Sequence, residues 1–335
     1  MQIHKKTFLH FFLPFFLITV FMMKPSIASE YQVDIGWVPG FISEYNHAQT
    51  YIADASGKVI THFGGRNSAG GELGTGVQNS PKANFAIPSS ILVTWLSFQD
   101  GNFWQAQIAL PQEAISKLLE EKIQGIFVSK PSQKIRRYDR MVVNVGPEGK
   151  VYIFLGGADI TFIGAYQGYK TEIPWETHIQ QTWSSSPAQA ITKNQYVAKV
   201  QASRKNTLQK AESFNEMIFH PVQWKLSLHP PQKLIAYTAK MVNGEDQTVL
   251  NNVEHTTLNY VPKLFIFDVQ EGSVKSRYRV TLDADIVSFF HENFNAQDLV
   301  NFTIDFPNPH EANLYIEQGG KKVEFKKIDV EEMGM

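Results

Sequence analysis

The stretch Ile87–Ile123 decides the fold, and it reads IPSSILVTWLSFQDGNFWQAQIALPQEAISKLLEEKI. An apolar run, a polar turn and an alternating run predict two antiparallel strands with one buried face. An amphipathic segment follows them. From Val261 the chain reads VPKLFIFDVQEGSVKSRYRVTLDADIVSFFHENF, with the same order of elements. This order predicts that one unit of two strands and a helix occurs twice.

The two predicted helices share their spacing of apolar residues, at i, i+3, i+4 and i+8, which places these residues on one helix face. They are Ile115, Leu118, Leu119 and Ile123 in the first helix and Ile286, Phe289, Phe290 and Phe294 in the second. We therefore expect an α+β chain of two tandem related domains, each an antiparallel sheet packed with one main helix. The alternative is two unrelated α+β domains with common patterns.

The chain is divided into domains where its composition changes. The predicted divisions are a signal peptide over 1–29, a first α+β domain over 30–183, a linker with a helix over 184–219, a second, repeat-like domain over 220–328 and a tail over 329–335. Apolar positions are sparse in the linker, so its helix is expected to be solvated.

The first residues are typical of a secretory signal. Lys5 and Lys6 precede the apolar run Phe8–Met23, and small residues precede a cleavage site near Ala28 and Ser29. We expect cleavage there, a periplasmic location and no stable membrane span afterwards. The alternative is an uncleaved anchor, but the run is shorter than the roughly 18–20 residues that cross a bilayer.

The composition excludes several classes of protein. The chain has 0 cysteines and a net charge of -1. It therefore has no disulfide, no cysteine nucleophile, no thiolate metal site and no cysteine for lipid attachment, so its stability must come from packed cores. A near-neutral charge argues against a general nucleic-acid binder.

Motifs for catalysis are missing from the sequence. His291-Glu292 and His310-Glu311 do not continue into His-Glu-x-x-His, and there is no Gly-x-Ser-x-Gly elbow. The glycine-rich segment Gly64–Gly76 lacks Gly-Lys-Ser/Thr and favours a surface loop over a phosphate loop. We therefore predict a protein that is not an enzyme and has no cofactor or metal.

Two segments carry residues suited to binding a protein partner. Lys130–Arg140 is the densest charged stretch, and the segment 158–183 is rich in aromatic residues. Basic groups steer and grip acidic surfaces, and exposed aromatic rings anchor interfaces. The candidate partner-binding residues are Lys134, Arg136, Arg137, Arg140, Tyr166, Tyr169 and Trp175. The alternatives are a solvated loop and aromatic rings that pack on the first domain.

Several motifs resemble a large family of uncharacterised secreted bacterial proteins, many of them lipoproteins, with a Trp-x-Ser strand and a Pro-Gly-Gly-x-Val turn. The matching positions are Pro88, Trp95-Leu96-Ser97, Phe103-Trp104, Leu110-Pro111, Tyr138-Asp139 and Val145–Val151. Glu148 replaces the first glycine of the pair, and Phe154 stands where tryptophan is usual. Genes of this family often lie beside type VI secretion effectors, especially lipases, which implies periplasmic immunity proteins.

The leading hypothesis is an exported, non-catalytic binding protein, and specifically a periplasmic immunity protein that occludes an effector such as a lipase. The first alternative is an envelope-associated structural protein that binds a ligand or glycan, which predicts an aromatic-lined cleft between the domains. The second is a hydrolase with an unfamiliar site. It predicts a pocket where carboxylates or histidines from distant segments converge with shifted pKa values.

Overall fold

The computed structural model describes residues 29–64, 71–78, 80–125, 134–157, 159–183, 191–207, 216–229, 234–250, 257–271, 274–308, 311–326 and 328–333. Residues 1–28, which hold most of the predicted signal peptide, lie outside this part. The described chain is β-rich, with several antiparallel sheets and few helices. Residues 29–183 are called the first half below and residues 216–333 the second half.

The described residues of the first half form fourteen strands. They are β1 (Ser29–Trp37), β2 (Ser43–Tyr45), β3 (Tyr51–Ala53), β4 (Val59–His62), β5 (Val77–Gln78), β6 (Ala83–Phe85), β7 (Ser90–Ser97), β8 (Phe103–Ala109), β9 (Lys122–Gly125), β10 (Lys134–Arg137), β11 (Arg140–Val145), β12 (Lys150–Gly156), β13 (Thr161–Gln167) and β14 (Tyr169–Thr171).

In the second half, nine strands lie within the part of the chain that the structure describes. They are β15 (Trp224–His229), β16 (Leu234–Met241), β17 (Asp246–Leu250), β18 (Pro262–Glu271), β19 (Val274–Leu282), β20 (Val300–Asn308), β21 (Glu311–Gln318), β22 (Lys321–Phe325) and β23 (Ile328–Met333). The α-helices of the described chain are α1 (Gln112–Glu120), α2 (Trp175–Thr182), α3 (Lys193–Ser203) and α4 (Ile286–Asn293). Short 3-10 turns span His47–Gln49, Pro147–Gly149 and Glu216–Phe219.

Each half is built from two larger sheets, whereas the sequence predicted one sheet per domain. In the first half the strand orders are β13-β12-β11-β1-β5 and β14-β8-β7-β3-β4. In the second half they are β15-β20-β21-β22 and β17-β16-β18-β19-β23. One sheet in each half contains a parallel pair, β1 with β11 and β15 with β20. Strands that occupy the same place in the two strand orders therefore also follow one another in the same order along the chain, and both halves contain one parallel pair.

Each half has its own hydrophobic core between its two sheets. The first core joins Val33 and Ile153 of one sheet to Trp95 of the other. The second core joins Trp224 and Phe302 to residues of the facing sheet in the same way. Burying apolar side chains of this size supplies roughly 1.5–3 kcal/mol each, which stabilises both halves without cysteine.

The helix faces predicted from spacing pack as expected, with one difference in length. Ile115 and Leu119 of α1 enter the first core, and Ile286 and Phe290 of α4 enter the second. Helix α1 ends at Glu120, so Ile123 belongs to strand β9 and not to the helix. Asn243-Gly244, a pair typical of hairpin turns, lies in the connection between the antiparallel strands β16 and β17.

Two segments pack on the rest of the protein more closely than the sequence suggested. Residues 328–333 form an edge strand paired with β19, although a tail was expected from 329 onwards. Ile328 and Val330 alternate with acidic residues and pack against the second core, which explains the pairing. The helix expected to be solvated is α3, and its Val197 is buried in a small cluster with Phe98 and Phe103.

Candidate functional site

A cleft lies at the seam between the two halves. Its volume is about 360 Å³, and it is lined by Glu121, Tyr138, Asp159, Ile160, Thr161, Met241, Glu245, Asp246, Gln247, Thr248 and Asn259. Four of these residues are acidic, and they come from three separate segments of the chain. Ligand sites occur preferentially at boundaries of this kind. The lining includes one aromatic ring, so it is not the aromatic-lined cleft that the glycan hypothesis predicted.

Carboxylates bind the two halves together at this seam. Glu245 Oε1 accepts a hydrogen bond from the backbone N–H of Phe162 at 2.7 Å, and Asp246 Oδ1 accepts one from Ile160 at 2.6 Å. In the opposite direction, Asp159 Oδ1 accepts from the N–H of Thr248 at 3.2 Å. Ile160 and Asp246 also form an antiparallel bridge. These acidic groups therefore have a structural role before any ligand is considered.

Two glycines allow the backbones to meet at the seam. Both Gly74 and Gly244 have positive φ angles, of +72° and +95°. A Cβ on Gly74 would lie 2.6 Å from the carbonyl oxygen of Gly244, and one on Gly244 would lie 2.5 Å from that of Leu73. Any larger residue at either position would push the halves apart.

Burial at the seam changes the ionisation of Glu245. Loss of solvent raises the pKa of its carboxyl to about 7, against the opposing effect of the Phe162 N–H bond, and the neighbouring charge of Asp246 raises it further. A carboxyl with a pKa near 7 can exist in both protonation states at neutral pH, which is a property of general acids and bases. The cleft therefore meets one condition of the hydrolase hypothesis.

A two-stranded ribbon, formed by β9 and β10, begins at the edge of this cleft. Glu121 precedes the ribbon and Tyr138 follows it, and both line the cleft. Among the described strands, β9 and β10 pair only with each other. Lys122 and Arg137 are directly opposite one another in the ribbon, and both are exposed. Within the described chain no ion pair joins either one to a carboxylate.

The predicted basic residues fall on the ribbon and just beyond it. Lys134, Arg136 and Arg137 belong to β10, and residues 130–133 of the same stretch lie outside the described residues. Arg140 is the first residue of β11, and its charge acts on Asp34 within the first half. Burial raises the pKa of Asp34, and the positive charge of Arg140 partly offsets that rise. Part of the charge of Arg140 is therefore used within the chain, in its interaction with Asp34.

The predicted aromatic residues lie in three different environments. Tyr166 is half-buried on β13. Tyr169 begins β14 and is 53% exposed, with its hydroxyl donating to Gln105 Oε1 at 2.7 Å. The indole of Trp175 donates to the carbonyl of Ile191 at 2.8 Å and packs within the chain. Of the three, Tyr169 offers the largest free surface.

Sequence reasoning missed a buried carboxylate cluster centred on Glu44. Glu44 Oε1 accepts hydrogen bonds from His178 Nε2 at 2.9 Å and Trp183 Nε1 at 3.0 Å, and Oε2 accepts one from the hydroxyl of Tyr196 at 2.7 Å. Glu44 is 2% exposed and His178 0%. The donors are more than a hundred positions away in sequence, so no local pattern could have revealed the cluster.

The Glu44 cluster holds α2 and α3 on the first half. His178 belongs to α2 and Tyr196 to α3, so one carboxylate ties both helices to strand β2. The hydroxyl of Thr182 lies 3.5 Å from His178 Nδ1, which is too long for the strong hydrogen bond of a catalytic nucleophile. The geometry supports a role in packing.

Two further observations bear on the nature of the protein. Across the described ranges no three His, Cys, Asp or Glu residues are grouped so as to hold a metal ion. In the same ranges the helices are too short or too polar for any of them to cross a bilayer. These features, together with the fold, define a β-rich protein of two sandwiched halves with a basic ribbon beside an acidic cleft.

A comparison with known protein families shows which family the chain belongs to. Residues 25–234 match the family described as Protein of unknown function (DUF2931), and this match covers more than half of the chain. The chain therefore belongs to that family. The match covers the first half and ends at the first residue of β16. No curated protein and no solved structure matches the chain.

Proposed function

We propose that this protein is an exported, non-catalytic binding protein that recognises another protein through the β9–β10 ribbon. The observation that carries the proposal is the isolation of the ribbon, whose strands pair with no other described strand. A two-stranded hairpin is marginally stable in water by itself. A partner surface that packs on the ribbon would stabilise it.

The charges of the ribbon favour an acidic partner. Lys122 and Arg137 are exposed cross-strand neighbours, and like charges in this position repel one another. Carboxylates on a partner would remove the repulsion and speed the encounter. The guanidinium of Arg137 can also bind a carboxylate through two parallel hydrogen bonds.

The cleft beside the ribbon adds the opposite charge to the same surface. Glu121 directly precedes strand β9, and Asp159 lines the same cleft. A partner that covers both would place acidic groups on the ribbon and basic groups over the cleft. Complementary patches of both signs fix the orientation of a complex and exclude wrong partners.

The more specific form of the proposal is a periplasmic immunity protein that occludes a type VI secretion effector such as a lipase. Its support is the resemblance to the secreted bacterial family and the signal-like residues 1–29. We also propose that the two halves are tandem related domains. The corresponding strand orders of their sheets support this, as does the parallel pair in each half.

A competition assay tests the proposal. The gene is deleted in the bacterium that carries it, and the survival of the mutant is measured beside wild-type siblings. We expect the mutant to be killed and to be rescued by the wild-type gene. The double variant Lys122→Glu with Arg137→Glu should rescue poorly, because it reverses the ribbon charge.

The matched control is Lys199→Glu with Lys205→Glu, which makes the same change in charge at exposed positions in and just after α3. It should rescue as well as the wild type. Equal survival of the deletion mutant and the wild type would reject the immunity proposal. Full rescue by the ribbon variant would reject the ribbon as the binding element.

A second candidate function is hydrolysis at the seam, favoured by the convergence of Glu121, Asp159, Glu245 and Asp246 and by the raised pKa of Glu245. The purified protein is assayed with chromogenic esters and glycosides. A hydrolase would turn over a substrate and lose that activity in Glu245→Gln. The binding proposal expects no turnover above buffer by either protein.

A further inference from the structure

The outer face of the sheet β14-β8-β7-β3-β4 is the side turned away from the first core. Leu96 and Phe103 lie at one end of this face, and they are covered by a cluster that includes Val197 of α3. The rest of the face is partly covered, since Thr94 is fully buried and Gln181 of α2 reaches Gln49 beside it. Its half-buried and exposed side chains are therefore the part of the sheet that can meet a ligand.

Six side chains lie in two neighbouring cross-strand rows on this outer face, which we call the amide–tyrosine platform; Thr94 is buried, and the other five are half-buried or exposed. The first row pairs Tyr169 with Gln105 and Gln105 with Thr94, and the second pairs Gln107 with Leu92 and Leu92 with Tyr51. Side chains two residues apart on a strand share a face, so both rows point outward. The rows cross four strands, a width of about 14 Å at the usual strand spacing.

Tyr169 is the exposed aromatic ring of the platform. It is 53% exposed, and no other Phe, Tyr or Trp among the described residues is classed as exposed. Its hydroxyl donates to Gln105 Oε1 at 2.7 Å, which holds the ring in place. A ring that is already fixed loses little conformational entropy when a ligand stacks on it.

Amide groups continue from Tyr169 across the sheet. Gln105 Nε2 donates to Thr94 Oγ1 at 3.0 Å and reaches Gln49 Oε1 at 3.5 Å. Gln49 Nε2 in turn donates to Gln181 Oε1 at 3.3 Å. Each amide has both donors and an acceptor, and their mutual hydrogen bonds fix their orientation.

The platform has no formal charge. None of its six residues carries a carboxylate, an ammonium or a guanidinium group. The ammonium of Lys193 lies over Phe103 at the covered end of the face, so a charged ligand on the six residues would lose hydration without gaining a counter-charge from them. A sugar has hydroxyls that both donate and accept, which suit the amides, and a face of C–H groups that packs on an aromatic ring.

We propose that the amide–tyrosine platform binds a neutral oligosaccharide. The site is separate from the seam cleft and the ribbon, and it does not depend on the proposed protein partner. Tyr169 stacks on a sugar ring, and Gln105 and Gln107 bind hydroxyls of neighbouring rings. The width of the rows suits a short chain of sugars and not a single ring.

Calorimetric titration of the full exported chain tests the site, with chitohexaose, cellohexaose and maltohexaose as separate probes. We expect at least one probe to bind. Tyr169→Ala should weaken that binding by about ten-fold or more, because it removes the stacking surface. Tyr169→Phe keeps the ring and should stay within about three-fold of the wild type.

Tyr315→Ala is the matched control, since Tyr315 is half-buried on β21 in the second half, beneath the Nζ of Lys322. It should bind the probe as the wild type does. Thermal unfolding of each variant confirms that it is folded. The proposal is overturned if the wild type binds none of the three probes at millimolar concentration. It is equally overturned if a folded Tyr169→Ala binds as tightly as the wild type.

Discussion

The outer faces of two corresponding sheets differ sharply between the halves. In the first half the face carries Tyr169, Gln105 and other uncharged groups. In the second half the corresponding face carries ion pairs, between Arg277 and Asp268 and between Arg279 and Glu331. One strand order therefore supports two surfaces of different chemistry. Topology sets where a face lies, and the alternate residues of its strands set what the face can bind.

The halves also differ in what covers these faces. In the first half α2 and α3 are tied down over one end by Glu44, whose three donors come from those helices and the residue after α2. In the second half the described chain places the edge strand β23 beside β19, and the Arg279–Glu331 ion pair remains at the surface. Helices α2 and α3 thus cover one end of the outer face of the first half, and the amide–tyrosine platform lies beside them.

The largest change in stability is expected when the contacts of Glu44 with α2 and α3 are lost. Glu44→Gln leaves buried N–H and O–H donors without their carboxylate, and we expect the free energy of unfolding to fall by about 2–4 kcal/mol. Denaturant unfolding measures it. The control Glu331→Gln, at an exposed ion pair, should change stability by less than about 0.5 kcal/mol. If Glu44→Gln and Glu331→Gln lost similar amounts of stability, Glu44 would not hold the helices on the first face as the structure indicates.

The seam that joins the halves should respond to pH. The folded-state pKa of Glu245 is about 7, above its unfolded value, so the folded state holds the proton more tightly. Stability should therefore fall as pH rises from the unfolded to the folded pKa, by about 1–3 kcal/mol in total. Asp246 and Tyr260 are the titratable neighbours that act on this carboxyl or feel its charge.

Glu245→Gln sharpens this test, because glutamine keeps the acceptor for the Phe162 N–H and cannot ionise. Its stability should lack the loss seen in the wild type between about pH 5 and about pH 8. Urea unfolding at several pH values gives both curves. If the two proteins lose the same stability over this range, another group causes the dependence and the role of Glu245 is wrong.

The smallest effect concerns the ion pairs of the second face. Arg277 binds Asp268 through two hydrogen bonds, of 2.6 and 3.0 Å, and the hydrogen bonds to Asp268 raise the pKa of Arg277. Asp268→Asn should lower stability by about 1 kcal/mol, since Asp268 is largely buried. Glu331→Gln, with a single bond of 3.2 Å from Arg279, should cost less. The opposite ranking would show that this face is not stabilised by its better-formed pair.

Local features of the fold were predictable from the sequence. The spacing of Ile115 and Leu119 and of Ile286 and Phe290 identified two helices and their buried faces. The turn at Asn243-Gly244 can be recognised in the sequence, because Asn-Gly between two strands is a strong hairpin signal. These signals lie within a few residues of one another, so periodicity and turn chemistry reveal them.

Long-range features were not predictable in this way. The parallel pairing of β1 with β11 joins segments about a hundred positions apart, and no pattern within either strand indicates it. The acceptors at the seam and the donors to Glu44 are brought together only by the fold. Of the candidate binding residues, Tyr169 is exposed whereas Trp175 packs internally, and composition alone could not separate them.

Site-specific photo-crosslinking in living cells tests the central claim most directly. A photoreactive benzoylphenylalanine replaces Glu121, at the root of the ribbon, or Glu331, on the charged outer face of the second half. Both are exposed. We expect position 121 to form one discrete adduct with another protein when the cells meet their siblings, and position 331 to form none. No adduct at position 121, or the same adducts at both positions, would contradict it.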